Sequence, residues 1–175
     1  PKETFLGTAG SYHDSASILQ NSSIFQKMTV KDNLIATMEA VGTPKKKRKE
    51  VLEDLSSRFQ IDHILGNLGL SLSGGERRRV EVARCLVLNP RFLLLDEPFA
   101  GVDPVTVQEI QKIVGSLKDS GIGVLITDHN VRETLGICDR AYVISRGEVI
   151  AEGPASRIYE SKEVKRTYLG ENFQV

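Results

Sequence analysis

The sequence has few cysteines and no excess of either charge. Its two cysteines, Cys85 and Cys138, lie far apart and match no metal-binding spacing. Two thiols are too few for a disulfide framework, so we interpret both as small apolar residues of a protein kept in a reducing compartment. The 23 basic and 23 acidic residues give a formal net charge of zero. The overall charge therefore provides no attraction to nucleic acid or to an anionic membrane.

The sequence also lacks a long apolar run. No stretch approaches the roughly 18 apolar residues that a membrane-spanning helix needs, and no signal peptide opens the chain. We therefore expect any contact with a membrane to be made through a partner. The 175 residues, 40% of them hydrophobic, are enough for one domain with a sizeable core.

Hydrophobic periodicity predicts two helices followed by alternating helices and strands. Residues 1–18 show no clear period, and a cap at Thr29 with Asp32 three residues later opens the first helix. Strands alternating with helices predict an α/β fold with a mostly parallel sheet covered on both faces, plus a small helical subdomain. The predicted helices are 29–41, 45–60, 74–89, 103–120, 131–138, 154–159 and 161–168, and the predicted strands are 92–95, 122–127, 141–145 and 149–152. The fourth of these helices is predicted to begin at an aspartate cap, Asp103, with Pro104 in its first turn.

A basic run, Lys45-Lys46-Lys47-Arg48-Lys49, opens the second predicted helix. Such a run resembles a nuclear-import or nucleic-acid patch. One five-residue run is a weak signal, and we interpret it as a solvated helix end.

Two glycines mark the start of the third predicted helix, in Leu72-Ser73-Gly74-Gly75-Glu76. Ser73 and Glu76 have the spacing of a capping box. The glycines let the backbone approach a ligand, and the helix start presents unpaired N–H groups and the positive end of the helix dipole. The segment therefore predicts either a phosphate site or a glycine-rich helix cap. The arginines that follow, Arg77 to Arg79, are predicted to be solvated, with one or two paired to nearby carboxylates.

Acidic side chains follow the strand Phe92–Leu95, which reads as continuously apolar and fully buried. Asp96 and Glu97 come at its carboxyl end, where ligands of parallel α/β sheets bind. One carboxylate there suits Mg²⁺, which retains waters, and the second suits the deprotonation of a water. The next strand ends in Thr127-Asp128-His129, so His129 is expected beside Asp96 if the strands are neighbours.

These segments together resemble the ATP-binding cassette (ABC) ATPases. The stretch LSGGERRRVEVARCLVLNPRFLLLDEPFAGVD resembles their signature motif, Walker B strand and D-loop, and ITDHNV resembles their switch-histidine loop. Leu19-Gln20-Asn21 is similar to the Q-loop, and the similarity covers about residues 18–175. Within the family, FAGVDP, GVLITDHNVRETL and VKRTYLGENF look like ATPases that power lipopolysaccharide export, with branched-chain amino-acid importers as the alternative.

The resemblance implies a division of the chain and a role for each motif. Residues 1–28 would carry an N-terminal remnant and the Q-loop, 29–89 the helical subdomain, and 90–175 the catalytic core, all within one partial domain. ATP and Mg²⁺ would be the cofactors, and a second copy, head to tail, and membrane subunits would be the partners, with no nucleic acid. The chain would lie on the inner face of a bacterial inner membrane.

The same resemblance assigns the site residues. Asp96 and Gln20 would hold Mg²⁺, largely through water, Glu97 would be the general base and His129 would stabilise the γ-phosphate. Ser73, Gly74 and Gly75 would contact the nucleotide of the opposite subunit, and Asp103 of the D-loop would cross the dimer interface. The Q-loop would also help to form a groove for a membrane subunit.

One element of the family's pattern is missing from the 175 residues. No stretch fits the P-loop, GxxxxGK[ST], whose backbone N–H groups and lysine cradle the β- and γ-phosphates. The chain is therefore expected to be a piece of a longer protein or a cassette whose front end was lost or replaced. We expect the isolated chain to bind ATP poorly, to be inactive alone and to be marginally stable, with an apolar sheet edge exposed.

Two other interpretations compete with that of a transporter ATPase. A degenerate, non-catalytic cassette would lend its signature motif to a partner, but such a module has no chemical need for Glu97 and His129. Chromosome-maintenance and DNA-repair ATPases share the signature motif but separate it from the Q-loop by a long coiled coil. The 52 positions between Gln20 and Leu72 fit the helical subdomain of a transporter ATPase instead.

Overall fold

The computed structural model describes residues 15–18 and 24–169. The chain divides into two units, the first ending at Thr127 and the second beginning at Asp128. The first unit contains β1 (Ser15–Ile18), α1 (Val30–Ala40), α2 (Lys45–Arg58), α3 (Gly74–Leu86), β2 (Phe92–Asp96), α4 (Pro104–Asp119) and β3 (Gly123–Thr127). The second contains α5 (Val131–Leu135), β4 (Ala141–Ser145), β5 (Glu148–Gly153), α6 (Ala155–Glu160) and α7 (Lys162–Val164), followed by a π-helical segment, Lys165–Leu169.

The sheet of the first unit is parallel, as predicted. Within the described residues it has three strands in the order β1-β2-β3. The register places Asp96 of β2 beside Thr127 of β3, so the polar ends of both strands meet at one edge. The strand β1 was not predicted, because the four residues Ser-Ala-Ser-Ile are too few for their alternation to distinguish a strand from a loop.

The prediction of a fully buried β2 strand is wrong. Leu93 and Leu95 are buried, whereas Phe92 and Leu94 on the opposite face are 54% and 39% exposed. Leu125 of β3 is exposed as well. Helix α4 packs against β3 and α3 packs against α4 and β1, so helices of the described chain cover one face of β2 and leave the other apolar face open. An all-apolar strand cannot reveal by its letters which of its faces is covered.

Helices α1, α2 and α3 share a core with the loops that join them. Burial of each large aliphatic side chain in this core stabilises the fold by about 2 kcal/mol. The helix bounds agree with the predicted ones to within a few residues, because the capping residues Thr29, Ser73 and Asp103 all accept the expected backbone hydrogen bonds. The buried apolar residues of the three helices are Val30, Leu34, Met38, Leu52, Leu55, Val80, Val82 and Ala83.

The second unit is built on an antiparallel pair of strands. Strands β4 and β5 pair from Ala141↔Gly153 to Ser145↔Glu148, with a β-bulge near Val143. Its small core contains Leu135, Ile158 and Val164, with partly buried apolar residues of β4 and β5 packed against them.

Candidate nucleotide site

The signature segment forms a complete capping box at the start of α3. The backbone N–H and the hydroxyl of Ser73 both donate to Glu76 Oε2 at 2.8 Å, and the Glu76 N–H donates back to Ser73 Oγ at 3.3 Å. These bonds from Ser73 to the carboxylate lower the pKa of Glu76. A cap of this kind stabilises a helix by about 1 kcal/mol, and it fixes the backbone of the segment that the sequence assigns to phosphate contact.

The two glycines of this segment have different surroundings. Gly74 is exposed, and a Cβ added there would meet nothing within 4 Å. A Cβ added at Gly75 would overlap the carboxylate of Glu109 on α4. The structure therefore leaves the Gly74 backbone open to a ligand, whereas the missing side chain of Gly75 makes room for α4.

The arginines after the motif are half-buried, so the interpretation of a solvated face is wrong for all three. Arg77 Nη2 donates to the carbonyl of Leu72 at 3.3 Å. Arg78 Nη1 lies 3.2 Å from Glu81 Oε2, and both of these side chains are nearly enclosed. Arg79 Nη1 lies 3.9 Å from Glu109 Oε1. The expected pairing with carboxylates is confirmed for Arg78 and Arg79. The Arg78 pair lies within α3, and the Arg79 pair joins α3 to α4.

The ends of β2 and β3 are joined by two hydrogen bonds. The Thr127 hydroxyl donates to Asp96 Oδ1 at 2.7 Å, and the Glu97 N–H donates to the Thr127 carbonyl at 2.7 Å. Glu97 has a φ of 46°, in the left-handed region. A non-glycine residue held in this region carries backbone strain, and such strain concentrates at functional sites. The sheet edge thus presents an exposed carboxylate at Asp96 and, next to it, Glu97 on a strained backbone.

A cavity of about 160 Å³ lies between α3, α4 and the loop after β2. Glu97 lines it together with Gly74, Arg78 and Glu81 of α3 and with Thr106 of α4. The start of the signature helix and the predicted general base are therefore neighbours within one chain. Sequence spacing does not show this proximity, because it depends on how α3 packs against the sheet.

Asp103 caps α4 with both carboxylate oxygens. Oδ1 accepts from the N–H groups of Val105 and Thr106 at 2.9 and 3.1 Å, and Oδ2 accepts from the Thr106 hydroxyl at 2.6 Å. The bonds from Thr106, that of its hydroxyl first, lower the pKa of Asp103. The predicted capping role is confirmed, and the role of Asp103 across a dimer interface stays a prediction.

Two predicted site residues, His129 and Gln20, are not among the described residues of the first unit. His129 belongs to the second unit, where its side chain is 61% exposed and Nδ1 lies 3.8 Å from Asp128 Oδ1. The Asp128 side chain is fully buried and accepts two bonds from Asn130, at 2.7 and 2.9 Å. Gln20 lies outside the described residues. The grouping of His129 and Gln20 with Asp96 and Glu97 stays a prediction.

Sequence reasoning missed an anchored aromatic residue after the Q-loop segment. Phe25 is 51% exposed, yet the fully buried Asn33 accepts from its N–H at 2.9 Å and donates to its carbonyl at 3.0 Å. The guanidinium of Arg84 on α3 lies 4.8 Å from the ring centre, and Arg84 Nε donates to Thr37 Oγ1 at 3.2 Å. The ring is thus held in place with much of it open to solvent. The only sequence signal was an aromatic residue near a Q-loop.

The predicted apolar role of Cys85 agrees with its surroundings. Burial raises the pKa of the Cys85 thiol to about 11. The thiol therefore stays protonated and unreactive near neutral pH.

The carboxylates at the sheet edge fit a Mg²⁺ ion that keeps most of its waters and is also bound by nucleotide phosphates. Such an ion takes one or two protein carboxylates and completes its shell with waters and substrate phosphates. Asp96 offers an exposed carboxylate that Thr127 orients through one oxygen. No group of three or more His, Cys, Asp or Glu side chains suited to a metal occurs in the described residues, so a fully protein-coordinated ion is not found there. The phosphate cradle of a P-loop has no counterpart in the 175 residues.

The comparison with known proteins decides the family. The profile of the ABC transporter family matches residues 10–100, just over half of the chain. The chain belongs to the ABC transporter family. Two solved components of ABC transporters have the same fold. The cbiO1 component of the cbiONQ ABC transporter complex of Clostridium perfringens is 30% identical with a TM-score of 0.76, over 88% of this chain and 62% of its own. A cassette of an ABC transporter in its ADP conformation is 28% identical with a TM-score of 0.77, over 91% of this chain and 70% of its own.

Among members of the ABC family, this chain is similar to one group of ATP-binding proteins in particular. The lipopolysaccharide export system ATP-binding protein LptB of Haemophilus influenzae is 53% identical over 158 residues, which cover 89% of this chain and 65% of the relative. LptB of Escherichia coli K12 is 52% identical over 157 residues, with the same shares. This ABC-family chain thus spans about 65% of the length of these relatives. Among its described residues, we find no helix that is both long and apolar enough to cross a bilayer.

Proposed function

We propose that the chain forms the catalytic part of an ATP-hydrolysing subunit that powers lipopolysaccharide export. The assignment to this transported substrate is supported by the 52–53% identity to LptB proteins. These relatives favour lipopolysaccharide export over the branched-chain amino-acid importer that the sequence left as an alternative.

The strained Glu97 beside Asp96 carries the hydrolytic part of this proposal. Asp96 ends β2 and Glu97 follows it, and two bonds through Thr127 join this end to β3. The Asp96 carboxylate and the Glu97 backbone are therefore held in place before a nucleotide binds. Glu97 is the general base that takes a proton from the attacking water. The left-handed backbone at Glu97 sets the direction in which its side chain leaves the end of the strand.

Mg²⁺ bound to ATP supplies charge neutralisation at the phosphates. Asp96 would hold the ion through water with Gln20, and the imidazole of His129 would donate to the γ-phosphate. Ser73 and the open backbone of Gly74 would contact the nucleotide of a second subunit, with Gly75 shaping the approach and Asp103 near the shared interface. No P-loop sequence that would cradle the chain's own phosphates occurs in the 175 residues.

The partners we propose are a second cassette, head to tail, and membrane subunits of the transporter, on the inner face of the bacterial inner membrane. The anchored Phe25 ring supports the second of these, because it is an exposed aromatic group held by Asn33 and Arg84. An apolar group fixed before binding loses little conformational entropy when a partner docks.

A chimera of the Escherichia coli relative tests this function. The segment of LptB that aligns with this chain is replaced by the chain's own residues, and the chimera is purified for ATP hydrolysis and supplied to cells depleted of LptB. We expect hydrolysis and restored lipopolysaccharide export. Glu97→Gln should lower hydrolysis by at least about 100-fold, whereas Glu53→Gln, an exposed change on α2, should leave it unchanged.

The outcomes separate the rival functions. A chimera that folds and hydrolyses ATP without restoring export would show that the chain serves another transporter, such as an amino-acid importer. A chimera that folds and binds partners but does not hydrolyse ATP would favour the non-catalytic interaction module. Equal hydrolysis by Glu97→Gln and the unsubstituted chimera would remove Glu97 from the mechanism.

A further inference from the structure

The turn between α1 and α2 presents an apolar tip next to a group of cations. Val41 is 42% exposed, and Pro44 and the three lysines that follow it, Lys45, Lys46 and Lys47, are exposed as well. We name residues 41–47 the α1–α2 corner. The sequence analysis interpreted these lysines as a solvated helix end, but it did not predict that the valine near them would also be exposed.

The lysines of the corner differ from the basic residues that follow them. Arg48 pairs with Glu39 and donates to the Thr43 carbonyl at 3.0 Å, and Lys49 lies 3.8 Å from Glu53. Within the described part of the chain, Lys45, Lys46 and Lys47 have no ion pair, and the first turn of α2 contains no acidic residue. Three positive charges are therefore concentrated at one point of a chain whose net charge is zero.

Folding stability does not account for this arrangement. Cations in the first turn of a helix oppose the positive end of its dipole, and the Val41 side chain leaves apolar surface in water. Both features become favourable at one kind of surface. At an anionic bilayer, lysine ammonium groups meet lipid phosphates while a small apolar side chain enters the interfacial layer.

We propose that the α1–α2 corner binds the anionic phospholipid headgroups of a membrane. This goes beyond the proposed function, and it rests on that function only for the membrane location, since the contact needs neither ATP nor transporter subunits. A nucleic acid fits the corner less well, because the corner carries no arginine and no aromatic residue for phosphate forks or base stacking.

The absence of tryptophan from the sequence permits a direct test. Val41→Trp introduces a single reporter at the corner, and its fluorescence is followed as vesicles of phosphatidylglycerol and phosphatidylcholine, or of phosphatidylcholine alone, are added to the 175-residue chain. We expect a blue shift with the anionic vesicles only. Adding Lys45→Gln, Lys46→Gln and Lys47→Gln should weaken vesicle binding about 100-fold, since each lysine near an anionic surface contributes about fivefold.

Two controls isolate the corner. Val105→Trp places the reporter at another exposed valine, on α4, and it should show no shift. Lys31→Gln, Lys112→Gln and Lys162→Gln remove the same charge from exposed lysines elsewhere, and should weaken binding by far less than the corner variant. Circular dichroism of each variant establishes that its helices are intact before the comparison.

Several results would overturn the assignment. These are no shift of Val41→Trp with anionic vesicles, an equal shift of Val105→Trp, or equal binding by the two triple-lysine variants. A Val41→Trp shift produced by inorganic phosphate alone would assign the corner to a free anion, and tighter binding of duplex DNA than of vesicles would assign it to nucleic acid. None of these results would touch the hydrolysis assay of the chimera, so the two proposals fail independently.

Discussion

Thr127 and Asp96 connect the carboxyl ends of two neighbouring parallel strands. The Thr127 hydroxyl donates to Asp96 Oδ1 at 2.7 Å, and the register puts the two residues side by side. The bond fixes the direction of the carboxylate that we propose as the Mg²⁺ ligand. Partners of this kind set the geometry of a metal ligand without touching the metal.

Removing that bond should weaken the response to Mg²⁺ in the chimera. We expect Thr127→Val to raise the Mg²⁺ concentration for half-maximal hydrolysis about 10- to 100-fold, with a smaller effect on the rate at saturating Mg²⁺, because Glu97 keeps its backbone bond. Thr127→Ser retains the hydroxyl and should restore the Mg²⁺ response. Loss of rate at all Mg²⁺ concentrations, with the half-maximal value unchanged, would mean that Thr127 does not act through Asp96.

Gly75 should tolerate a side chain less well than Gly74. Alanine gains helix propensity at both positions, but at Gly75 its Cβ would displace the Glu109 carboxylate, which lies 3.9 Å from Arg79 Nη1. We expect Gly75→Ala to be about 1 kcal/mol less stable than Gly74→Ala in urea unfolding. In a Glu109→Ala background the difference should vanish. A difference that persists there would show that Gly75 is needed for another reason.

The capping box should add a pH dependence to stability. Because Ser73 lowers the pKa of Glu76 below its ordinary value of 4.5, the carboxylate's contribution is fully present above that value. It is lost as the pH falls through the folded-state pKa. The free energy of unfolding of the native chain should therefore exceed that of Glu76→Gln near neutral pH, and the two should converge in acid. Glu50→Gln, on the exposed side of α2, controls for the loss of one negative charge. A gap that stays constant with pH would contradict the assignment.

Asn33 should be essential for the conformation around Phe25. Asn33→Ala would leave the Phe25 N–H and carbonyl without the partners they have at 2.9 and 3.0 Å, at a cost of about 2 kcal/mol. The exposed Asn67→Ala should change stability by less than about 0.5 kcal/mol. Urea unfolding of the two variants makes the comparison, and equal stabilities would show that water replaces the Asn33 side chain.

The local features of this protein were predictable because they depend on residues close in sequence. The caps at Thr29, Ser73 and Asp103 each involve partners two or three positions away, so the letters contain the whole interaction. The order of strands and helices likewise predicted the parallel sheet, and it placed the carboxylates of Asp96 and Glu97 at the end of β2.

The sequence led to wrong predictions where an interaction joins two different helices or strands. An all-apolar β2 predicted two covered faces, yet the covering depends on where helices dock, and Leu94 lies on the open side. Arg79 read as a surface residue because its partner Glu109 lies 30 positions away on another helix.

By itself, the sequence determined the family and the helix caps, and it named the groups that we propose for hydrolysis, because each is specified by short, ordered motifs. Tertiary structure decided what those groups contact. Packing of α3 against α4 placed the Glu109 carboxylate against Gly75, and it brought Glu97 to the same cavity as Gly74. The turn after α1 put an exposed valine beside three exposed lysines. Proximity between residues distant along the chain is set by how elements pack, and no local pattern encodes it.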